Sequence, residues 1–213
     1  MQSLREPRDN APANSSRMMR NYSDAELDAL AELANIGSSN AATAMSSLLG
    51  ITVAVSTPSV RAVALKNAIE GAGRAEMLVT TVLVPVSGDL EALVLMLLEP
   101  QAETAACKLI GVEQDSDLGR SALVELGNIV AASYLGALST LTGLSLEPAA
   151  PECARDMLGA TLSSALLQDD DDGQVIVLES TLSVASEECS PTFLFVPTRV
   201  GVEEIIERLP LTA

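Results

Sequence analysis

Apolar and polar positions divide the chain into two series of elements that follow the same order. The first long helix is predicted over residues 24–49, because Ser23 and Glu26 form a capping box at its start and Gly50 follows its end. After this helix we predict a β-branched extended run over 51–60, strands over 77–86 and 90–98 around a Ser-Gly-Asp turn, and a short helix over 101–110.

The second half of the chain repeats this order. We predict a long helix over 117–141, an extended piece towards Pro148 and Pro151, a short amphipathic segment over 152–167, strands over 175–185 and 192–198, and a closing helix over 202–209. Residues 1–21 carry prolines, asparagines and serines without periodicity, and we predict that they form a disordered tail.

The repeat can be tested by superimposing the sequence on itself. A shift of 93 residues places 28–58 on 121–151 with 11 identities among 31 positions and no gap. Two copies predict a pseudo-two-fold α/β (α+β) fold, in which two long helices pack on a mixed or antiparallel sheet built from both halves. We therefore predict a single domain over 22–213, made of two repeats at about 22–112 and 113–211.

Each long helix carries a narrow polar stripe opposite its apolar side. At about 100° per residue, Asp28, Glu32 and Asn35 fall within a sector of about 60°, and Ser121, Glu125 and Asn128 do the same in the second copy. The residues predicted to be buried on the opposite sides are Leu27, Leu30, Ala34, Ala41, Met45 and Leu48 in the first helix and Leu123, Tyr134, Leu138 and Leu141 in the second.

A glutamate and an asparagine on the solvent face of a helix are ordinary surface residues in most proteins. Here both copies keep the glutamate, the asparagine and a proline 23 residues after that asparagine, Pro58 and Pro151. Asparagine is also a mediocre helix former, and capping does not explain its presence at two interior positions. The doubled pattern therefore favours a functional role.

Composition removes several classes of chemistry. The chain has no histidine, which excludes a Ser-His-Asp triad and a histidine-based zinc site. Its formal charge of -17 disfavours nucleic acid as a partner. The three cysteines, Cys107, Cys153 and Cys189, form no CxxC pair, and we expect them to be small buried hydrophobes in a reducing cytoplasm.

Two uncharged stretches, 33–60 and 126–146, are longer than the roughly 18 residues that suggest a membrane span. Hydroxyl groups, asparagines and glycines interrupt both, so we expect helices with one buried face and no membrane association. The acidic run 169–172 with Gly173 lacks the first carboxylate of a calcium loop, which favours a solvated turn.

The doubled pattern resembles the signature of the CheC-type chemotaxis phosphatases in the CheC/CheX/FliY family. The resemblance rests on Asp28-xxx-Glu32-xx-Asn35-x22-Pro58, on Ser121-xxx-Glu125-xx-Asn128-x22-Pro151, and on the words Glu-Leu-Ala-Asn-Ile-Gly at 32–37, Glu-Leu-Gly-Asn-Ile at 125–129 and Val-Pro-Val-Ser-Gly-Asp at 84–89. It covers residues 23 to about 209.

This resemblance implies that the protein hydrolyses the aspartyl phosphate of the response regulator CheY. Glu32, Asn35, Glu125 and Asn128 would be catalytic, Asp28 and Ser121 would support the stripes, and Pro58 and Pro151 would fix the returning loops. The protein would bind no metal or cofactor of its own, because the regulator brings Mg²⁺. We expect a cytoplasmic monomer, since the pseudo-symmetry already pairs the two halves.

Two other functions remain open from the sequence. The protein could be a non-catalytic adaptor for the receptor deamidase CheD, which the family partners, with Asp156 and Met157 in a docking surface over 154–160. An ordinary connecting helix explains that segment equally well. A flagellar switch component of the FliY type would carry an additional C-terminal domain, for which we find no room in this sequence.

Overall fold

A computed structural model describes residues 21–166, 174–184 and 190–209, which form six helices and eight strands. The first half comprises α1 (Asp24–Leu49), β1 (Val53–Val55), β2 (Ser59–Ala64), α2 (Leu65–Ala72), β3 (Leu78–Gly88), β4 (Ala92–Leu98) and α3 (Pro100–Ile110). The second half comprises α4 (Asp117–Thr142), β5 (Leu146–Pro148), β6 (Glu152–Met157), α5 (Leu158–Leu166), β7 (Gln174–Val184), β8 (Thr192–Pro197) and α6 (Arg199–Arg208).

The strands form one antiparallel sheet to which both halves contribute. Its order is β1-β7-β8-β4-β3-β5, with β2 also paired to β7 and β6 also paired to β3. The first two strands of each half therefore pair with the long strand of the other half. The predicted pseudo-two-fold α/β fold is confirmed, and its sheet is antiparallel.

The internal symmetry extends well beyond the two long helices. The shift of 93 residues carries α1, β1 and β2 onto α4, β5 and β6, whereas the shift is 96 from β3 to β7 and 99 from α3 to α6. The strand registers agree, because Val60 pairs with Leu178 where the equivalent Cys153 pairs with Val82. Equivalent positions in the two halves can therefore be compared residue by residue.

The sheet is covered on both faces. Helices α1, α3, α4 and α6 share one apolar core with one face, while α2 and α5 share a smaller core with the other. In β4, Val94, Met96 and Leu98 face the larger core and Leu95 and Leu97 face the smaller one, as expected from the alternation of side chains along a strand.

The structure differs from the sequence predictions at three places. Residues 152–157, predicted as the start of an amphipathic segment, form β6, because their backbones pair with β3. A connecting helix over 154–160 is therefore wrong for its first four residues. Helix α2 is an element that the sequence pattern did not predict.

The third difference concerns Leu48 and Leu141, which were predicted to be buried but are 49% and 40% exposed. In both helices the next residue turns inward: Leu49 packs against the core and Thr142 is buried. In the last turn of each long helix this next residue, and not the leucine, therefore faces the core.

Among the described residues, helix α4 is long and apolar enough to be a candidate membrane span by length and composition alone. One side of this helix, from Leu123 to Leu138, lies in the larger core against α1 and the sheet, while Leu118 and Leu141 are exposed. A core helix with one buried face has this pattern. The predicted tail apart from Asn21, the acidic run 169–173 and Cys189 lie outside the described residues.

Candidate functional site

Both long helices begin at a serine that caps the first turn. In α1 the Ser23 hydroxyl accepts a hydrogen bond from the Glu26 backbone N–H, and the Glu26 carboxylate accepts one from the Ser23 N–H at 2.8 Å. In α4 the Ser116 hydroxyl accepts a hydrogen bond from the Gly119 N–H at 2.9 Å. These caps satisfy backbone N–H groups that have no partner inside the helix.

Close packing fixes the rotation of each helix about its axis. A Cβ atom at Gly37 of α1 would lie 2.6 Å from Cε2 of Tyr134, and one at Gly127 of α4 would lie 2.6 Å from Cγ1 of Val82. Helix α1 therefore lies directly against the aromatic ring, and α4 lies directly against the sheet. The opposite face of each helix is left to solvent.

The predicted stripes lie on these solvent faces. Asp28, Glu32, Asn35, Ser121 and Glu125 are exposed. The sixth member, Asn128, is partly buried. None of the six side chains makes a hydrogen bond or an ion pair with another described residue, so all six remain available to a partner.

Asn40, on the same helix, shows what an asparagine does when the helix itself uses it. Its Nδ2 donates a hydrogen bond to the Ile36 carbonyl at 2.9 Å. Asn35 makes no such bond, although it lies only five residues earlier. The Asn35 amide is therefore left without a partner because of its position on the helix, and not because helices in general leave asparagine side chains unbonded.

The two motif prolines precede equivalent strands. Pro58 comes directly before β2 and Pro151 directly before β6, and both are partly buried. These are the strands that cross to the long strand of the other half. Both prolines therefore occupy the loops that return the chain from the long helices to the sheet.

The Val-Pro-Val-Ser-Gly-Asp segment at 84–89 fastens the end of β3 to the residues that follow α4. Gly88 has a φ of 117°, and a Cβ atom there would lie 2.1 Å from the Ser145 carbonyl oxygen. The Asp89 carboxylate accepts a hydrogen bond from the Ser145 N–H at 2.8 Å. This segment is structural, since only glycine fits the close approach.

Asp156 and Met157 lie at the end of β6, outside the two long helices that carry the stripes. The Asp156 carboxylate accepts a hydrogen bond from the Met157 N–H at 2.7 Å. Met157 is 49% exposed, and Leu78, its register partner on β3, is 44% exposed. The structure thus places an exposed apolar pair next to a carboxylate.

Sequence reasoning missed two buried polar residues, Thr80 on β3 and Glu103 on α3, which are 4% and 5% exposed. They lie in a cavity together with Arg120 and Cys153. The repeat could have revealed them, because the equivalent positions in the other half hold the apolar residues Ile176 and Val202.

The fold and the site together define a class of protein. Its members have a pseudo-two-fold α/β fold and carry a glutamate and an asparagine on the exposed face of each long helix. A model of the CheC-like family matches residues 26–61 and 118–153, which include both stripes. The chain is also 33% identical over 164 residues to the CheY-P phosphatase CheC of Bacillus subtilis strain 168, across 73% of this chain and 78% of that protein. The chain therefore belongs to the CheC-like family.

Solved structures of other proteins share this fold. FliY of Thermotoga maritima superimposes with a TM-score of 0.69 at 22% identity, across 88% of this chain and 96% of that one. The FliM middle domain of H. pylori gives 0.64 at 11% identity, across 88% and 100%. CheX, in a CheX-CheY-BeF3-Mg complex from Borrelia burgdorferi, gives 0.50 at 14% identity, across 76% and 95%.

Proposed function

We propose that this protein is a phosphatase that hydrolyses the aspartyl phosphate of a CheY-type response regulator. Two sites would act, one with Glu32 and Asn35 and one with Glu125 and Asn128. The proposal is supported by the family assignment, by a relative named as a CheY-P phosphatase, and by a fold neighbour that was solved with CheY bound.

The observation that carries the proposal is the unengaged stripe on each long helix. Both pairs of side chains face solvent or lie at its border, and none of them has a partner among the described residues. A rigid, capped helix that presents an unused carboxylate and an unused amide can enter the site of a docked partner without rearranging its own structure.

The asparagine amides would place the attacking water. Hydrolysis of an acyl phosphate needs a water molecule in line with the phosphorus and the leaving carboxylate oxygen. An amide can accept a hydrogen bond from that water through its oxygen and donate one through its nitrogen. It needs no ionisation, which suits a protein without histidine.

The glutamates would fix the docked register. Glu32 lies one turn before Asn35, and Glu125 one turn before Asn128, so each carboxylate is next to its amide on the helix surface. A lysine beside the phosphorylated aspartate of the regulator would form a charge-assisted hydrogen bond with it. Mg²⁺ would be held by the regulator and would neutralise charge on the phosphoryl group, and we assign no cofactor to this chain.

The decay of the phosphorylated regulator tests this function. Asn35→Ala and Asn128→Ala are each expected to remove one site and to leave the other active, while the double variant is expected to accelerate decay no more than buffer does. The phosphorylated CheY of the same organism is mixed with each variant, and the loss of label is followed over time.

Asn40→Ala and Thr140→Ala are the matched controls. Both lie on the exposed side of the same helices, and both side chains bond to their own helix backbone. They should leave the rate unchanged, and circular dichroism should show that all variants are folded. Full activity in the double asparagine variant would contradict the catalytic assignment.

The same experiment separates a phosphatase from a flagellar switch component. FliY and FliM share the fold at low identity, which does not distinguish the two functions. A switch component would bind the phosphorylated regulator without shortening its lifetime, with or without the asparagines.

We further propose that the protein is cytoplasmic and monomeric.

We propose a second partner, the receptor deamidase CheD, for the surface formed by Leu78, Asp156 and Met157. The exposed apolar pair beside a carboxylate favours this surface. Asp156→Ala combined with Met157→Ser is expected to weaken capture of purified CheD at least tenfold while leaving phosphatase activity intact. The matched control is Glu152→Ala with Ala154→Ser on the same strand, and equal loss in both pairs would argue against this surface.

A further inference from the structure

A polar cavity lies between the two repeats, bordered by β3 and α3 of the first half and by the start of α4 and β6 of the second. Its volume is about 370 Å³, within the range of small-molecule sites. Its lining includes Thr80, Glu103, Arg120, Leu123, Cys153 and Arg155. We call this space the polar cavity.

Two polar residues that line the polar cavity are buried. Glu103 is 5% exposed and Thr80 is 4% exposed. The Thr80 hydroxyl has no hydrogen-bond partner among the described residues, and within the same ranges the Glu103 carboxylate forms neither a hydrogen bond nor an ion pair. The Glu103 carboxylate therefore lies in the polar cavity without a protein partner and is available to a ligand.

The fold itself does not need these polar groups. The pseudo-two-fold places Ile176 where the other half has Thr80, and Val202 where it has Glu103. Leu27 and Val60 likewise occupy the positions equivalent to Arg120 and Cys153. Ile176 and Val202 are buried in the larger core, and Val60 packs against that core.

The symmetry-related corner is built from α1 and β2 of the first half and β7 and α6 of the second, and it carries hydrocarbon side chains at these four positions. The corner at the polar cavity carries a carboxylic acid and a hydroxyl from the first half and a guanidinium and a thiol from the second. Polar groups at four positions that line one cavity are better explained by a ligand than by the needs of the fold.

Charged residues surround the mouth of the polar cavity. Arg155 pairs with Asp115 at 3.2 Å, and Asp117 lies nearby on α4. Arg120 is exposed, and its guanidinium forms no hydrogen bond or ion pair within the described ranges. Cys153, Arg120 and Glu103 line the same cavity. Burial raises the pKa of the Cys153 thiol, Arg120 lowers it and Glu103 raises it.

We propose that the polar cavity binds a small organic cation, a protonated primary amine, whose ammonium group contacts Glu103 and Thr80. An ammonium group can donate to the carboxylate and to the hydroxyl together, and it cancels the buried negative charge. The described residues contain no group of three or more cysteine, aspartate or glutamate side chains that could hold a metal ion. An organic cation fits this lining, because it combines the Glu103 carboxylate with the apolar side chain of Leu123.

Arg120 adds an expectation about the other end of the ligand. Its unpaired guanidinium at the mouth favours a molecule that carries a carboxylate away from the amine. The ammonium could belong to a free amine or to a lysine side chain of a partner protein. Both sources present the same chemistry to Glu103.

Titrations monitored by NMR test the proposal on the full chain. The probes are n-butylammonium, γ-aminobutyrate, butyrate and n-butanol, with the peptide acetyl-Gly-Lys-Gly-amide representing a partner lysine. Methyl signals of Thr80 and Leu123 are followed. We expect the amines to bind with a dissociation constant of about 1 mM or tighter, γ-aminobutyrate more tightly than n-butylammonium, and the butyrate and n-butanol not to bind.

Variants then locate the bound ammonium group. Glu103→Gln keeps the shape and removes the charge, and it is expected to weaken amine binding at least tenfold. Glu113→Gln makes the same change of charge at an exposed neighbouring position and should leave binding unchanged. Thr80→Val is expected to weaken binding by a smaller factor and serves if Glu103→Gln does not fold.

Alkylation of Cys153 gives a second readout. A bound amine should slow modification of this thiol by iodoacetamide in the wild type and not in Glu103→Gln, as measured by peptide mass spectrometry. Binding of the lysine peptide alone would assign the polar cavity to a partner protein, and binding of the free amines would assign it to a small molecule. Equal shifts from n-butanol and n-butylammonium, or unchanged binding in Glu103→Gln, would overturn the proposal.

Discussion

At the scale of single residues, the contact between Gly37 and Tyr134 determines how closely the two long helices approach. The Tyr134 ring is fully buried, with its centroid 4.9 Å from that of Phe193 and 5.4 Å from that of Phe195. These three rings form the aromatic centre of a core that is otherwise aliphatic. Any atom added at Gly37 must push into the edge of the Tyr134 ring.

Gly37→Ala is therefore expected to destabilise the protein. Its Cβ would lie 2.6 Å from Cε2 of Tyr134, and the ring has no space to move because it is packed against two others. Overpacking of this kind costs about 1–3 kcal/mol, which exceeds the gain of about 1 kcal/mol from replacing a helical glycine with alanine. Urea unfolding of the two proteins measures the difference.

Gly136→Ala is the control. A Cβ atom at this glycine of α4 meets nothing within 4 Å, so the change should stabilise the protein by about 0.5–1 kcal/mol. The two substitutions are chemically identical and are expected to have opposite signs. Stabilisation by both would mean that the helix pair can move apart at Gly37 without loss of packing.

At the scale of elements, the capping box of α1 keeps the first stripe in place. Ser23→Ala removes the side-chain acceptor of the Glu26 N–H and the reciprocal arrangement with the Glu26 carboxylate. The expected loss in the free energy of unfolding is about 1 kcal/mol. Thermal unfolding measures it, with Ser39→Ala on the exposed face of the same helix as control, where a loss of similar size would contradict a specific role for the cap.

Most elements could be predicted from the sequence because local signals mark them. The capping box, the glycine after each long helix and the Ser-Gly-Asp turn each define a boundary through chemistry within a few residues. Strand β6 has no such signal, because five of its six residues are exposed and show no alternation of apolar and polar side chains. It is a strand because β3 supplies its hydrogen bonds.

The helix α2 lacked local signals as well. No side chain caps its first residue, and Gly71 lies within it. Its apolar side packs on the smaller core, in which Ala68 is buried, and that core exists only once the sheet has formed. The stripes could be predicted at the residue level because they depend on helical spacing alone, whereas the polar cavity depends on which residues of four elements meet.

At the scale of the whole molecule, the exchange of strands between the halves makes the fold a single structural unit. β1 and β2 complete the sheet beside β7, and β5 and β6 complete it beside β3. The repeat predicted a shared sheet, but sequence similarity between two copies does not reveal which strands pair across them. That choice depends on contacts between residues that lie about 120 positions apart, such as Arg61 and Glu179, which form an ion pair.

The net charge of -17 acts on this unit as a whole. Only 12 basic residues oppose 29 acidic ones, so the compact state concentrates repulsion that unfolding relieves. Raising KCl from 0.05 M to 1 M shortens the screening length to about 3 Å, and we expect the free energy of unfolding to rise by an amount on the order of 1 kcal/mol. Urea titrations at both salt concentrations measure it.

Replacing all four aspartates of 169–172 by asparagine should reduce the salt dependence, because it removes four negative charges. A salt effect of the same size in both proteins would show that KCl acts through the apolar surface and not through charge screening, and a stability that does not rise with KCl would rule out net repulsion as a significant cost to this fold.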